Sequence, residues 1–78
     1  FVKNSDIHWI REDLKVNENH SLIVKFRLRY RQPLKKGTIY KLRVGLYILF
    51  DNPMSSVTPG QFVTWYIEDE LIGSGIIS

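Results

Sequence analysis

Four cations alternate along one short stretch: Lys25, Arg27, Arg29 and Arg31. Leu22, Val24, Phe26, Leu28 and Tyr30 run at the even positions between and before them. Side chains along a strand point to opposite faces with a period of two. Residues 22–31 therefore read as a strand with an apolar row on one face and a cationic row on the other. A helix, at about 100° per residue, would scatter both sets around its circumference. The apolar row requires a core. The cationic row requires water or an anionic partner. Arginine is the better residue for a phosphate partner, because its planar guanidinium can contact two oxygens at once.

The charge distribution extends this signal. The 78 residues carry a net charge of only +3, yet residues 21–50 hold eight cations and no acid. These are Lys25, Arg27, Arg29, Arg31, Lys35, Lys36, Lys41 and Arg43, all candidates for contact with nucleic acid. The acids Asp6, Glu12, Asp13, Glu18, Asp51, Glu68, Asp69 and Glu70 lie outside that window. Such asymmetry points to an anion-binding surface, with nucleic acid the commonest partner. Two readings of the face stay open. Distant acids could fold across it or water could solvate it, or it could bind a phosphate backbone, which the residue types favour.

Other chemistry is poorly represented. There is no cysteine, so neither a disulfide nor a thiolate metal site can form. His8 and His20 lack ligand-like spacing, and no metal site is expected. Glu68-Asp69-Glu70 reads as a solvated turn. Ser55, Ser56 and Thr58 have no evident base or acid partner, and no phosphate-cradling glycine loop is present. No catalytic residue is assigned and no cofactor is expected. Arg27-x-x-x-Arg31 has the spacing used by barrels that bind cyclic dinucleotides, but their Asp/Asn-x-Ser-x-x-Gly stretch is missing. Trp9, Trp65, Tyr47 and Tyr66 could stack on unpaired bases, although most aromatics in so small a chain belong to the core. No apolar run approaches the ~20 residues of a membrane span, so no membrane partner is expected. No signal peptide is visible.

The elements that must position these residues are short strands. Residues 1–5 read as a linker or entry segment and residues 7–11 as a brief strand. Asn17-Glu18-Asn19 has turn chemistry. Gln32-Pro33 stops the organising strand, since proline cannot donate to a ladder. Residues 34–37, with Lys35 and Lys36, form a connection. Residues 38–44 alternate again, placing Tyr40, Leu42 and Val44 opposite Ile39, Lys41 and Arg43. If this strand pairs with residues 22–31, Lys41 and Arg43 fall near Arg27 and Arg29. Val44-Gly45 reads as a tight reversal using positive φ at the glycine. Residues 46–50 are apolar throughout, as in a strand buried on both faces. Thr58-Pro59-Gly60 suits a type II turn. Residues 62–67 are rich in β-forming types, and residues 71–77 form a last strand whose Gly73 and Gly75 suggest a bulge or close approach. About six strands and no helix indicate one all-β domain over residues 1–78. Sandwich and barrel both fit; a small closed antiparallel barrel is favoured because closure removes exposed edges. A chain of this size, opening at Phe1, reads as a piece of something longer.

Four stretches in register resemble a known family. They are Ile7-His8-Trp9-Ile10, Arg29-Tyr30-Arg31-Gln32, Ser56-Val57-Thr58-Pro59-Gly60-Gln61-Phe62-Val63 and Leu71-Ile72-Gly73-Ser74-Gly75-Ile76-Ile77. Their order and spacing are similar to the C-terminal domain of tRNA-specific 2-thiouridylases. The resemblance implies a barrel similar to domain 2 of translation elongation factors, within a cytoplasmic three-domain enzyme. That enzyme would use ATP to adenylate the wobble uridine of tRNA, and a cysteine pair would relay sulfur from a donor protein. The family's Ser-Gly-Gly-x-Asp-Ser nucleotide loop and its cysteines have no counterpart here. What carries over is an accessory role in holding tRNA, around Arg29 and Arg31. The Arg43-Val44-Gly45 turn departs from the more polar turn of many relatives. The alternatives are a structural barrel that docks on the enzyme's other domains, and a binding module for a small anion.

Overall fold

The computed structural model describes residues 1–28, 33–52 and 57–78. It has seven strands: β1 (Val2–Lys3), β2 (Ile7–Trp9), β3 (Ser21–Arg27), β4 (Lys35–Leu42), β5 (Gly45–Phe50), β6 (Phe62–Ile67) and β7 (Glu70–Ile76). Single 3-10 turns at Asn4–Asp6 and Glu12–Leu14 are the only other regular elements among the described residues. The strands form one antiparallel sheet in the order β1-β5-β4-β3-β6-β7-β2. The all-β expectation holds with one strand more than the six foreseen. The edges are β1 and β2, and no ladder among the described residues joins them. The Cα radius of gyration, 11.3 Å, is about that of a compact chain of this length. The sheet therefore curls around its core instead of lying flat.

The extra strand comes from the segment expected to be a linker. Val2 pairs with Leu46 and is fully buried, so residues 2–3 belong to the sheet. A two-residue strand leaves too little pattern to be recognised by alternation. On β3 and just past its end the expected inward row is present as far as it is described: Leu22 is half-buried and Val24, Phe26 and Leu28 are buried, while Tyr30 lies outside the described residues. Across the sheet the core is completed by Ile39, Leu46, Val63, Trp65 and Ile72. Two edge-to-face pairs organise it, Trp9 with Trp65 at 5.5 Å and Phe26 with Phe50 at 5.2 Å between ring centroids. Such geometry sets the positive ring edge against the negative face of the other ring. Both tryptophans are thus core residues.

Several local expectations are corrected. Lys35 and Lys36 lie inside β4, not in a connection, because the ladder with β3 continues to Phe26 opposite Lys35. Gly45 does not use positive φ. It is needed because a Cβ there would run into the Val2 carbonyl oxygen and the Phe1 ring. The reversal itself is a two-residue turn at Arg43 and Val44. β5 is buried on one face only, since Tyr47 and Leu49 point outward and are half-exposed. An unbroken apolar run hides alternation that an outward-facing apolar patch can satisfy as well as a second core.

Other expectations are met. Gln61 N–H donates to Thr58 C=O at 3.3 Å and Gly60 has φ +92°, the geometry of a type II turn. The ladder between β6 and β7 shifts between Trp65 and Tyr66: Trp65 opposes Gly73 while Tyr66 opposes Leu71. Ile72 is the extra residue of this bulge. Its side chain is buried, and its carbonyl accepts from both Ile10 N–H at 2.8 Å and Arg11 N–H at 3.2 Å. The glycine beside it makes room for the indole of Trp65, which would lie 2.7 Å from a Cβ at position 73.

Candidate nucleic-acid interface

The register of β3 with both neighbours builds the basic surface. Lys25 stands directly opposite Lys36 on β4 and opposite Tyr66 on β6. Residues opposite each other on antiparallel strands share a face, so Lys36, Lys25 and Tyr66 form one outward row. Both lysines are exposed. Two residues along β3, Arg27 continues the face opposite Thr64, and its guanidinium carbon lies 5.4 Å from the centroid of the Tyr66 ring. The ring face attracts the cation and gives it a preferred position. A shallow groove of about 100 Å³ runs along this row, lined by Ile23, Lys25, Lys36, Tyr66, Ile67 and Glu68 among others.

The eight candidate cations do not all gather here. Lys35 stands opposite buried Phe26 and is exposed at the start of β4, at the rim of the same end. Arg29 and Arg31 lie outside the described residues. Lys41 and Arg43 do not fall beside Arg27. Lys41 lies five positions beyond Lys36, roughly 17 Å along a strand. Lys41 shares the inward parity of Ile39 at the far end of β4, and its Nζ donates to Asn4 Oδ1 at 3.1 Å. Its backbone bonds to Asn19 and His20, across the opposite end of the β3–β4 hairpin. Arg43 is exposed in the following turn, where its carbonyl accepts from Asn4 Nδ2 at 2.8 Å. The expectation failed because alternation assigns faces without setting register.

Among the described residues no acid forms an ion pair with the two lysines of the row, Lys25 and Lys36. Arg11 forms two ion pairs, with Asp13 at 2.7 Å and Glu70 at 2.5 Å. Glu70 is thus a partner of Arg11 and not simply part of a solvated turn. Hydrogen bonding to Asp13, then to Glu70, raises the Arg11 pKa, and the bond from Arg11 holds the Asp13 carboxyl below its ordinary range. The acid nearest the row by register is Asp51, whose N–H donates to the Lys36 carbonyl at 3.0 Å. Neither Asp51 nor Glu68 forms an ion pair with Lys25 or Lys36. Asp51 was missed from sequence, although counting back through the two-residue turn would have set it opposite Lys36. The Arg27–Tyr66 contact had no such signal, since the β3–β6 pairing joins strands remote in sequence. His8 lies on β2 and His20 in the segment just before β3, and no cluster of potential metal ligands occurs among the described residues. No helix among them is long and apolar enough to cross a membrane.

Comparison with known proteins agrees with the family resemblance. The family described as aminomethyltransferase beta-barrel domain matches residues 2–77. The tRNA-specific 2-thiouridylase MnmA of Flavobacterium johnsoniae is 55% identical over 78 residues, all of this chain and 20% of that protein. The corresponding proteins of Christiangramia forsetii and Bacillus subtilis are 46% and 38% identical, covering 100% and 97% of this chain and again 20% of their own length. The chain thus spans about one fifth of the curated relatives it matches. It belongs to the aminomethyltransferase beta-barrel domain family, in the form of the C-terminal domain of tRNA-specific 2-thiouridylases.

Proposed function

We propose that this domain holds tRNA for a 2-thiouridylase by gripping the phosphate backbone. The observation that carries the reading is the outward row of Lys36 and Lys25 on adjacent strands, with Arg27 seated over Tyr66 at its side. Like charges opposite each other on a ladder are destabilising, so a polyanion that binds there relieves a cost already present in the fold. Lys35 extends the same cationic surface in this reading, while Lys41 and Arg43 form a separate contact point at the other end; Arg29 and Arg31 stay candidates on their sequence alone. Phosphate contacts set position and orientation without reading sequence. Choice of the wobble uridine then rests with the remainder of the enzyme, as do ATP use, sulfur relay from a donor protein and catalysis in the cytoplasm.

We also read the sheet as a barrel closed through β1, similar to domain 2 of translation elongation factors. Two contacts support closure: Ser78 N–H donates to Phe1 C=O at 2.7 Å, and Val2 packs where a Cβ on Gly75 would sit.

Titration of the 78-residue chain with tRNA across a salt series tests the proposal, with circular dichroism as a check on folding. Neutralising about three to five phosphates gives a slope of roughly −2 to −4 for log affinity against log salt. A folded chain whose binding is absent or insensitive to salt would move the basic face to an inter-domain role.

A further inference from the structure

The outward face of β3, β4 and β5 carries a second surface of different chemistry. Tyr40 stands opposite Tyr47, and Thr38 stands opposite both Ile23 and Leu49. The four apolar residues are therefore contiguous on three adjacent strands. They are heavily exposed: Ile23 68%, Tyr40 40%, Tyr47 50% and Leu49 50%. Single exposed apolar side chains need no explanation, but a contiguous patch marks an interaction site. An antiparallel sheet with one solvated face ordinarily places polar residues there.

We infer that this face docks against the part of the same polypeptide that precedes the domain in the full-length enzyme. The inference rests on the family membership and not on RNA binding. Three observations select this occupant. First, the relatives carry about four-fifths of their length outside the matched segment, so a large partner is covalently attached. Second, the attachment lies at the patch. Val2 pairs with Leu46, and continuing that register sets Phe1 opposite Tyr47 and brings the chain before it alongside Ile48, on the strand that carries the patch. A tethered partner has an effective concentration in about the millimolar range for short linkers, so a modest apolar face suffices to hold it. Third, half of the patch is aliphatic: Ile23 and Leu49 offer nucleotides neither a stacking plane nor a donor, whereas a protein surface buries them directly together with Tyr40 and Tyr47.

In this arrangement the row of Lys25 and Lys36 lies at the margin of an inter-domain seam, and tRNA bound there would bridge the domain and its neighbour.

Hydroxyl-radical footprinting of the full-length protein without RNA tests the inference, with the urea-unfolded protein as reference. An open face at the exposures above would slow oxidation of Ile23, Tyr40, Tyr47 and Leu49 only about twofold. A docked face should slow it by about tenfold or more, as in the fully buried centre of an interface. The docked result at all dilutions supports the inference. Twofold protection overturns it. Protection that disappears on dilution would assign the face to a second copy, and protection that appears only after tRNA is added would assign it to RNA; either overturns it. Because no RNA is needed for the expected result, failure of the tRNA-binding proposal leaves this test intact.

Discussion

Lys25 and Lys36 stand directly opposite each other on β3 and β4, both exposed and without an ion pair to any described acid. This is a local defect in the fold, and it separates stability from function. Replacing Lys36→Gln removes the repulsive cross-strand pair without setting a new like charge against Asp51, a gain of about 0.2–1 kcal/mol. Urea denaturation of the 78-residue chain should show a higher midpoint for the variant. Its tRNA affinity should fall, and the salt slope should become shallower by about 1 for one lost phosphate contact. A variant that loses stability as well as binding would make Lys36 a structural residue.

Arg27 supplies a test of positioning. Tyr66→Phe keeps the ring face beneath the guanidinium, whereas Tyr66→Leu removes it. Between half-buried partners such a cation–π contact is worth about 0.5–2 kcal/mol. The leucine variant should therefore bind tRNA a few-fold more weakly than the phenylalanine variant, with the difference abolished in an Arg27→Ala background. Affinities of the four combinations measured by filter binding complete that cycle.

Gly73 tests the packing of the bulge. Its missing Cβ would lie 2.7–2.8 Å from three atoms of the buried Trp65 indole. Gly73→Ala should cost about 1–3 kcal/mol, the usual range for overpacking. The measurement is the urea midpoint followed by tryptophan fluorescence. An unchanged midpoint would mean that Trp65 can shift without loss, contrary to its full burial.

The Arg11–Asp13 contact predicts a pH effect of known sign. Hydrogen bonding from Arg11 lowers the Asp13 pKa in the folded chain. Its contribution to stability is present above the ordinary carboxylate pKa and is lost as pH falls through the lowered folded value. NMR titration should place Asp13 below the normal aspartate range in the native chain and return it towards that range in Arg11→Ala. Because the pair is exposed, the effect on total stability is small.

Much of this was legible in the sequence because it depends on neighbours along the chain. Alternation from Leu22 to Leu28 identified β3 and its inward row. Pro59-Gly60 specified its turn through fixed proline φ and permissive glycine φ. The concentration of cations between residues 21 and 50 identified the surface that carries the proposed function. Tertiary structure decided what depends on register between strands. It placed Lys36 opposite Lys25 and left Lys41 some five residues away; it set Arg27 over Tyr66, and it gave Glu70 to Arg11. It also turned Tyr47 and Leu49 outward, although their sequence reads as core. The physical reason is the two-residue period of the strand. Local sequence divides side chains between two faces, but only packing determines which face meets the core and which residue stands across the ladder.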